Sequence, residues 1–162
     1  NVGGAFVVAA DASPSRIGLV RTNIERTGAD AVAVCADGTV PPFVAGAFDR
    51  VLLDAPCSGL GAMRRRADAR WRIGPDAIDE LAGLQRRLID ASTPLVRPGG
   101  TFVYSVCTLT AAESIDHPVP DGFDVVDDEP PGTWRRYGHG WRVLPHDEDT
   151  DGMVLIRYRR RP

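Results

Sequence analysis

Two short apolar runs, each delivering a cysteine, restrict this chain more than any other feature. Val51, Leu52 and Leu53 lead into Asp54-Ala55-Pro56-Cys57-Ser58-Gly59. The run reads as a buried strand, and the acid, proline and glycine after it predict a stiff turn at its carboxyl end. Thr101-Phe102-Val103-Tyr104-Ser105-Val106-Cys107-Thr108 is a second strand-like run that also ends in a cysteine. If the two strands are parallel neighbours, both thiols and Asp54 face one pocket at one sheet edge, where open α/β sheets site their chemistry.

The remaining patterns predict alternating strands and helices. Phe6 to Asp11 reads as a strand. Ser13 caps the helix that follows, Pro14 takes its first position, and Ile17, Val20 and Ile24 form its apolar stripe up to Gly28. Ala31 to Ala36 is a second strand, followed by Asp37, and residues 49–53 are a third. Gly74-Pro75 opens a second helix with a core stripe of Ile78, Leu81, Leu84, Leu88 and Leu95, bent and ended by Pro94 and Pro98-Gly99-Gly100. After the strand at 101–107, residues 116–133 read as loop with a short edge strand at Phe123 to Val126, and Met153 to Tyr158 as a final strand. The order argues for a doubly wound sheet in a single α/β unit.

At 162 residues the chain buries about 70% of the surface its unfolded form exposes, so it needs no covalent staples. Its three cysteines, Cys35, Cys57 and Cys107, point to a reducing, cytoplasmic setting and not to a disulfide framework. Cys35 reads as a small buried hydrophobe. No apolar run approaches the ~20 residues of a membrane span, and His117, His139 and His146 read as loop residues without metal-ligand spacing, so no metal is expected. A net charge of -3 argues against a wholesale basic nucleic-acid binder, yet all 19 cationic side chains are arginine and they cluster. Arg64, Arg65, Arg66 and Arg70, with Trp71 among them, suit either a solvated face or a phosphate-gripping, base-stacking RNA surface. Asp11 and Asp37, at strand ends, suit either turn caps or acceptors for a nucleotide's ribose hydroxyls and base edge.

The Asp54-to-Gly59 turn, the arginine-rich loop ending Arg70-Trp71, Leu84-Gln85, Pro98-Gly99-Gly100, Tyr104-Ser105-Val106-Cys107-Thr108, Gly140-Trp141-Arg142 and Thr150-Asp151-Gly152 together resemble the Sun/RsmB family of RNA (cytosine-5) methyltransferases, from about residue 5 to the end. The resemblance implies a Rossmann-like methyltransferase sheet and S-adenosylmethionine as cofactor, with Asp11, Asp37 and Asp54 binding it. It implies RNA as partner, ribosomal RNA first and transfer RNA second. Carbon 5 of cytosine is a poor nucleophile, so a thiolate first adds to carbon 6 to make carbon 5 reactive. By resemblance Cys107 is that thiolate, Asp54 stabilises charge near ring nitrogen 3, and Cys57 assists breakdown of the adduct. A free cysteine titrates near ~8.5, so the scheme expects an arginine or a strand-end amide to lower the Cys107 thiol. Arg64, Arg65, Arg66, Arg70 and Trp71 would contact the RNA.

Some family features are not found in this sequence. The glycine-rich cofactor loop and its strand, expected before Phe6, are absent, as is an upstream RNA-binding domain. Residues 1–162 are therefore expected to be the distal, C-terminal part of a catalytic domain, inactive alone, with the first strand belonging between the strands that end at Asp11 and Asp54. Ala67 stands where a proline is common, and Thr110-Ala111-Ala112-Glu113-Ser114 lacks the usual asparagine and the long helix after it. The rival expectation is a catalytically inert RNA-binding remnant; a nucleotide-binding oxidoreductase would leave the paired cysteines unexplained.

Overall fold

Strands form where the apolar runs lie, and the elements they join fall into two compact units, Asn1–Phe43 and Val44–Pro162. The computed structural model describes residues 4–65, 73–147 and 149–162. In the first unit β1 (Val7–Asp11) and β2 (Ala31–Cys35) are parallel, with Asp11 opposite Cys35. Between them runs α1 (Pro14–Thr27), where the predicted signals operate: the Ser13 hydroxyl accepts from the Arg16 N–H, and Gly28 closes the last turn by donating to the Ile24 carbonyl. Ile17 is buried, while Val20 and Ile24 are half-buried. Cys35 is exposed, contrary to expectation. It ends one strand of a two-stranded sheet, and its thiol meets the Ala12 carbonyl at 3.8 Å.

The second unit contains β3 (Phe48–Asp54), α2 (Pro75–Ser92), β4 (Val96–Val106), β5 (Phe123–Val125), β6 (Arg135–Tyr137), β7 (Gly140–Val143) and β8 (Met153–Arg160). Its sheet has the order β3-β4-β8-β7-β6, and β5 also pairs with β8. β3 and β4 are parallel neighbours, with Val51 opposite Phe102, Leu53 opposite Tyr104 and Asp54 opposite Ser105. The other pairings are antiparallel. Among the described residues β1 pairs only with β2, and β3 only with β4. None of the described helices is long and apolar enough to cross a membrane.

Alternation along β4 and β8 decides where the core sits. Phe102, Tyr104 and Val106 point to one face with Val154, Ile156 and Tyr158, and Ile89 of α2, Val96 and Phe123 complete the cluster. Phe102 is fully buried; its ring stacks on Tyr158 at 6.1 Å between centroids and meets Phe123 edge-on at 6.4 Å. Truncating a buried phenylalanine costs about 3–5 kcal/mol, a large part of the ~5–15 available to a domain. Phe102→Ala should therefore move the urea midpoint of this unit sharply downward, and an unchanged midpoint would count against the core as described.

Two boundaries differ from expectation. α2 stops at Ser92, because Pro94 cannot donate the next helical hydrogen bond, and Thr93–Leu95 form a single 3-10 turn. Leu95 is buried there, outside α2. β4 already begins at Val96, paired with Phe48, and Pro98-Gly99-Gly100 form an irregularity within it, not the end of a helix. A Cβ on Gly100 would lie 2.8 Å from the Asp49 carbonyl, so the close approach of β3 and β4 there requires glycine. The hairpin β6–β7 was not expected from the sequence, and the last strand runs antiparallel to β4.

Candidate active site

The parallel pairing of β3 and β4 brings their carboxyl ends to one edge. Ala55 N–H donates to the Ser105 carbonyl at 3.0 Å, continuing the ladder one step past Asp54. Beyond it the two chains turn, and the thiols of Cys57 and Cys107 meet at 3.3 Å, both half-buried. Gly61 N–H then donates to the Cys107 carbonyl at 3.0 Å, and Gly152 N–H to the Gly61 carbonyl at 2.8 Å. Burial and the bond to Cys107, with further repulsion from the Glu113 carboxylate, push the Cys57 thiol up to about 12. Cys57 is therefore a protonated thiol near neutral pH, and either sulfur can donate in the 3.3 Å contact. Asp54, on the same edge, is exposed at the tip of β3.

Behind the thiols lies a buried carboxylate that periodicity did not single out. Glu113 accepts from Ser58 N–H at 2.7 Å and Gln85 Nε2 at 3.2 Å on Oε1. Its Oε2 accepts from the hydroxyls of Ser58, Thr108 and Thr110 at 2.6, 2.9 and 2.8 Å. Burial acts to raise this acid, but the donors from Ser58, Thr110 and Thr108 outweigh it and hold the carboxyl below its usual range. Gln85 Nε2 also donates to the Pro56 carbonyl at 2.9 Å. Its Oε1 is thus the acceptor facing His117 Nε2 at 3.1 Å, which assigns the proton of that ring to Nε2. Burial lowers the His117 pKa and keeps the ring neutral. His117 is in a loop as expected, yet buried. One signal for this network exists in the sequence: Gln85 is a polar residue four positions after Leu81 and four before Ile89, inside an apolar stripe.

The first unit carries the other two predicted acids. Asp11 and Asp37 both follow the carboxyl ends of its parallel strands, and Ala36 N–H donates to the Asp11 carbonyl at 3.1 Å. Asp11 accepts from Arg16 at 2.8 Å through both carboxylate oxygens and from Ser13 N–H at 2.7 Å; Arg16 foremost holds its pKa down. The backbone N–H and hydroxyl of Thr39 bind Asp37 Oδ1 at 2.8 and 2.7 Å and lower its pKa likewise. Both remain ionised acceptors, which fits hydrogen bonding to hydroxyls and an amino group; both also serve as turn caps. Arg64 pairs with Asp149, and Arg65 with Asp151 at 3.5 Å, all on or near the surface. Arg66, Arg70 and Trp71 lie outside the described residues. Among the described residues no cluster of histidine, cysteine or carboxylate side chains is arranged to hold a metal ion.

The family model for the 16S rRNA methyltransferase RsmB/F matches residues 3–159. The ribosomal RNA small subunit methyltransferase B of Vibrio vulnificus is 35% identical over 161 residues, covering 93% of this chain and 36% of that protein. Its counterpart in Serratia proteamaculans is 36% identical over 155 residues, covering 94% and 36%. The structure of NSun6 from Pyrococcus horikoshii, solved with SFG, superposes with a TM-score of 0.82 at 28% identity, covering 96% of this chain and 41% of that one. SFG is an analogue of S-adenosylmethionine, the cofactor of this family and its structural neighbours. The chain spans about a third of the length of the curated relatives it matches. With its paired thiols at the sheet edge and a family match over nearly its whole length, the chain belongs to the RsmB/F family of 16S rRNA methyltransferases.

Proposed function

We propose that this chain supplies the thiol site for methylation of carbon 5 of cytosine in ribosomal RNA, through a covalent cysteine adduct. The observation that carries this reading is the Cys57–Cys107 pair at 3.3 Å, in which burial raises the Cys57 pKa. Cys107 Sγ adds to carbon 6 of the cytosine, and the electrons of the carbon 5–carbon 6 double bond shift toward ring nitrogen 3, where Asp54 would stabilise them. When bound, S-adenosylmethionine supplies an electrophilic methyl group to the activated carbon 5. Water then takes the proton from carbon 5, the carbon 5–carbon 6 double bond re-forms, the carbon 6–sulfur bond breaks, and its electron pair returns to Cys107, whose developing thiolate accepts a hydrogen bond from Cys57. Asp11 and Asp37 are the acids that would hold the cofactor's ribose and base. Arg64, Arg65, Arg66, Arg70 and Trp71 would face the RNA; the exposed, solvent-screened ion pairs of Arg64 and Arg65 are weak enough to be exchanged for phosphates.

The test is the chemical identity of the product. The full-length protein incubated with small-subunit ribosomal RNA and methyl-labelled S-adenosylmethionine should yield 5-methylcytosine on nucleoside mass spectrometry. Label on an exocyclic nitrogen, or none, would remove the thiol chemistry from consideration.

A further inference from the structure

Backbone hydrogen bonds join the two thiol-bearing segments on either side of the cysteines, at Ala55 to Ser105 and at Gly61 to Cys107. Between those points the Cys57 turn is held by side chains, and they converge on one carboxylate. Ser58, next to Cys57, and Thr108, next to Cys107, both donate to Glu113 Oε2, and their oxygens lie 2.9 Å apart. Glu113 is fully buried, and among the described residues no cation pairs with it. A buried ionised group is costly, and packing alone would be served as well by an apolar residue of similar volume. Five neutral donors and no cation make this carboxylate a device for fixing positions.

Resting on the reading of Cys107 and Cys57 as the reacting thiols, we infer that Glu113 is the positioning residue that sets their separation. It acts through Ser58 and Thr108 and touches neither thiol's reacting partner. The substitution Glu113→Gln is a discriminating one. Oε1 faces two N–H donors, so the amide oxygen can replace it. Oε2 faces three hydroxyls, and the two N–H of the amide nitrogen can serve two of them, such as Ser58 and Thr108, once these turn to accept. Glutamine therefore keeps the clamp without its charge, whereas alanine removes it.

Phenylarsine oxide reads the thiol separation without RNA or cofactor. It bridges two nearby thiols by forming two arsenic–sulfur bonds while its oxygen leaves with both thiol protons as water. In the full-length protein, wild type and Glu113→Gln should bind it alike, and Glu113→Ala should bind roughly tenfold or more weakly. Single-turnover methyl transfer should fall about 100-fold in Glu113→Ala, with KM for RNA unchanged and with recovery in Glu113→Gln, as a displacement near 1 Å implies. Ser58→Ala, which keeps the backbone bond to Oε1, should lie between, and carries the test if Glu113→Ala does not fold. Arsenical affinity equal to wild type in folded Glu113→Ala, or in Ser58→Ala should alanine at 113 unfold, would overturn the inference. Failure of the thiol mechanism itself would show separately, as methylation persisting in Cys107→Ala.

Discussion

Cys57→Ala should accumulate a covalent protein–RNA complex, and Cys107→Ala should form neither complex nor product. The asymmetry is that of the proposed roles, and the 3.3 Å contact and the burial that raises the Cys57 pKa are consistent with it. Burial and Glu113 disfavour the Cys57 thiolate, which suits Cys57 to donating a hydrogen bond. In the proposed mechanism Cys107 is the sulfur that attacks. In that mechanism release of the adduct would return a pair of electrons to Cys107 sulfur, and a donor at 3.3 Å would ease the step. Loss of a positioned proton partner typically costs about 100- to 10,000-fold, enough for the adduct to outlive a denaturing gel. A Cys57→Ala protein that turns over at the wild-type rate with no retained RNA would assign release to another group.

Gly61→Ala should nearly silence the site while leaving most of the fold in place. A Cβ at this position would lie 2.1 Å from the Gly152 oxygen and 3.0 Å from the Cys107 carbonyl oxygen. Both are backbone atoms, so no rotamer change relieves the overlap. The same glycine donates to Cys107 and accepts from Gly152, which ties the Cys57 turn, the Cys107 segment and the approach to β8 together. Opening this knot displaces Cys107 by something near an ångström, for which a rate loss of about 100-fold is expected, with a stability loss of about 1–3 kcal/mol from overpacking. Single-turnover methyl transfer beside a urea titration separates the two effects. Wild-type rates in Gly61→Ala would mean that the knot does not position the thiol.

Local signals carried much of this structure. The cap and stop of α1, the acids at strand ends and the apolar run of β4 are short-range patterns, and they appear where Ser13, Gly28, Asp11 and residues 101–107 predict them. The meeting of Cys57 and Cys107 needed one further assumption, that β3 and β4 are parallel neighbours, and the sheet provides it. Pro98-Gly99-Gly100 misled because proline and glycines end helices and also build irregular strand pairings; only the partner strand, through the Asp49 carbonyl, distinguishes the two uses. β6 and β7 escaped because Arg135-Arg136-Tyr137 has no apolar alternation; pairing, and Arg142 stacked 4.5 Å over the Tyr137 ring, holds them. Glu113 was invisible to periodicity for a related reason. Its donors come from residues 58, 85, 108 and 110, which only the folded chain assembles.

The central claim is that Cys107 sulfur bonds to the target base while Cys57 stands by to release it. The most direct measurement is peptide mapping by mass spectrometry of the complex trapped with full-length Cys57→Ala and its RNA. The account predicts one modified peptide, containing Cys107 and carrying a methylated cytosine nucleotide through sulfur. A nucleotide attached to any other residue, or a Cys107 recovered unmodified from the retained complex, would contradict it.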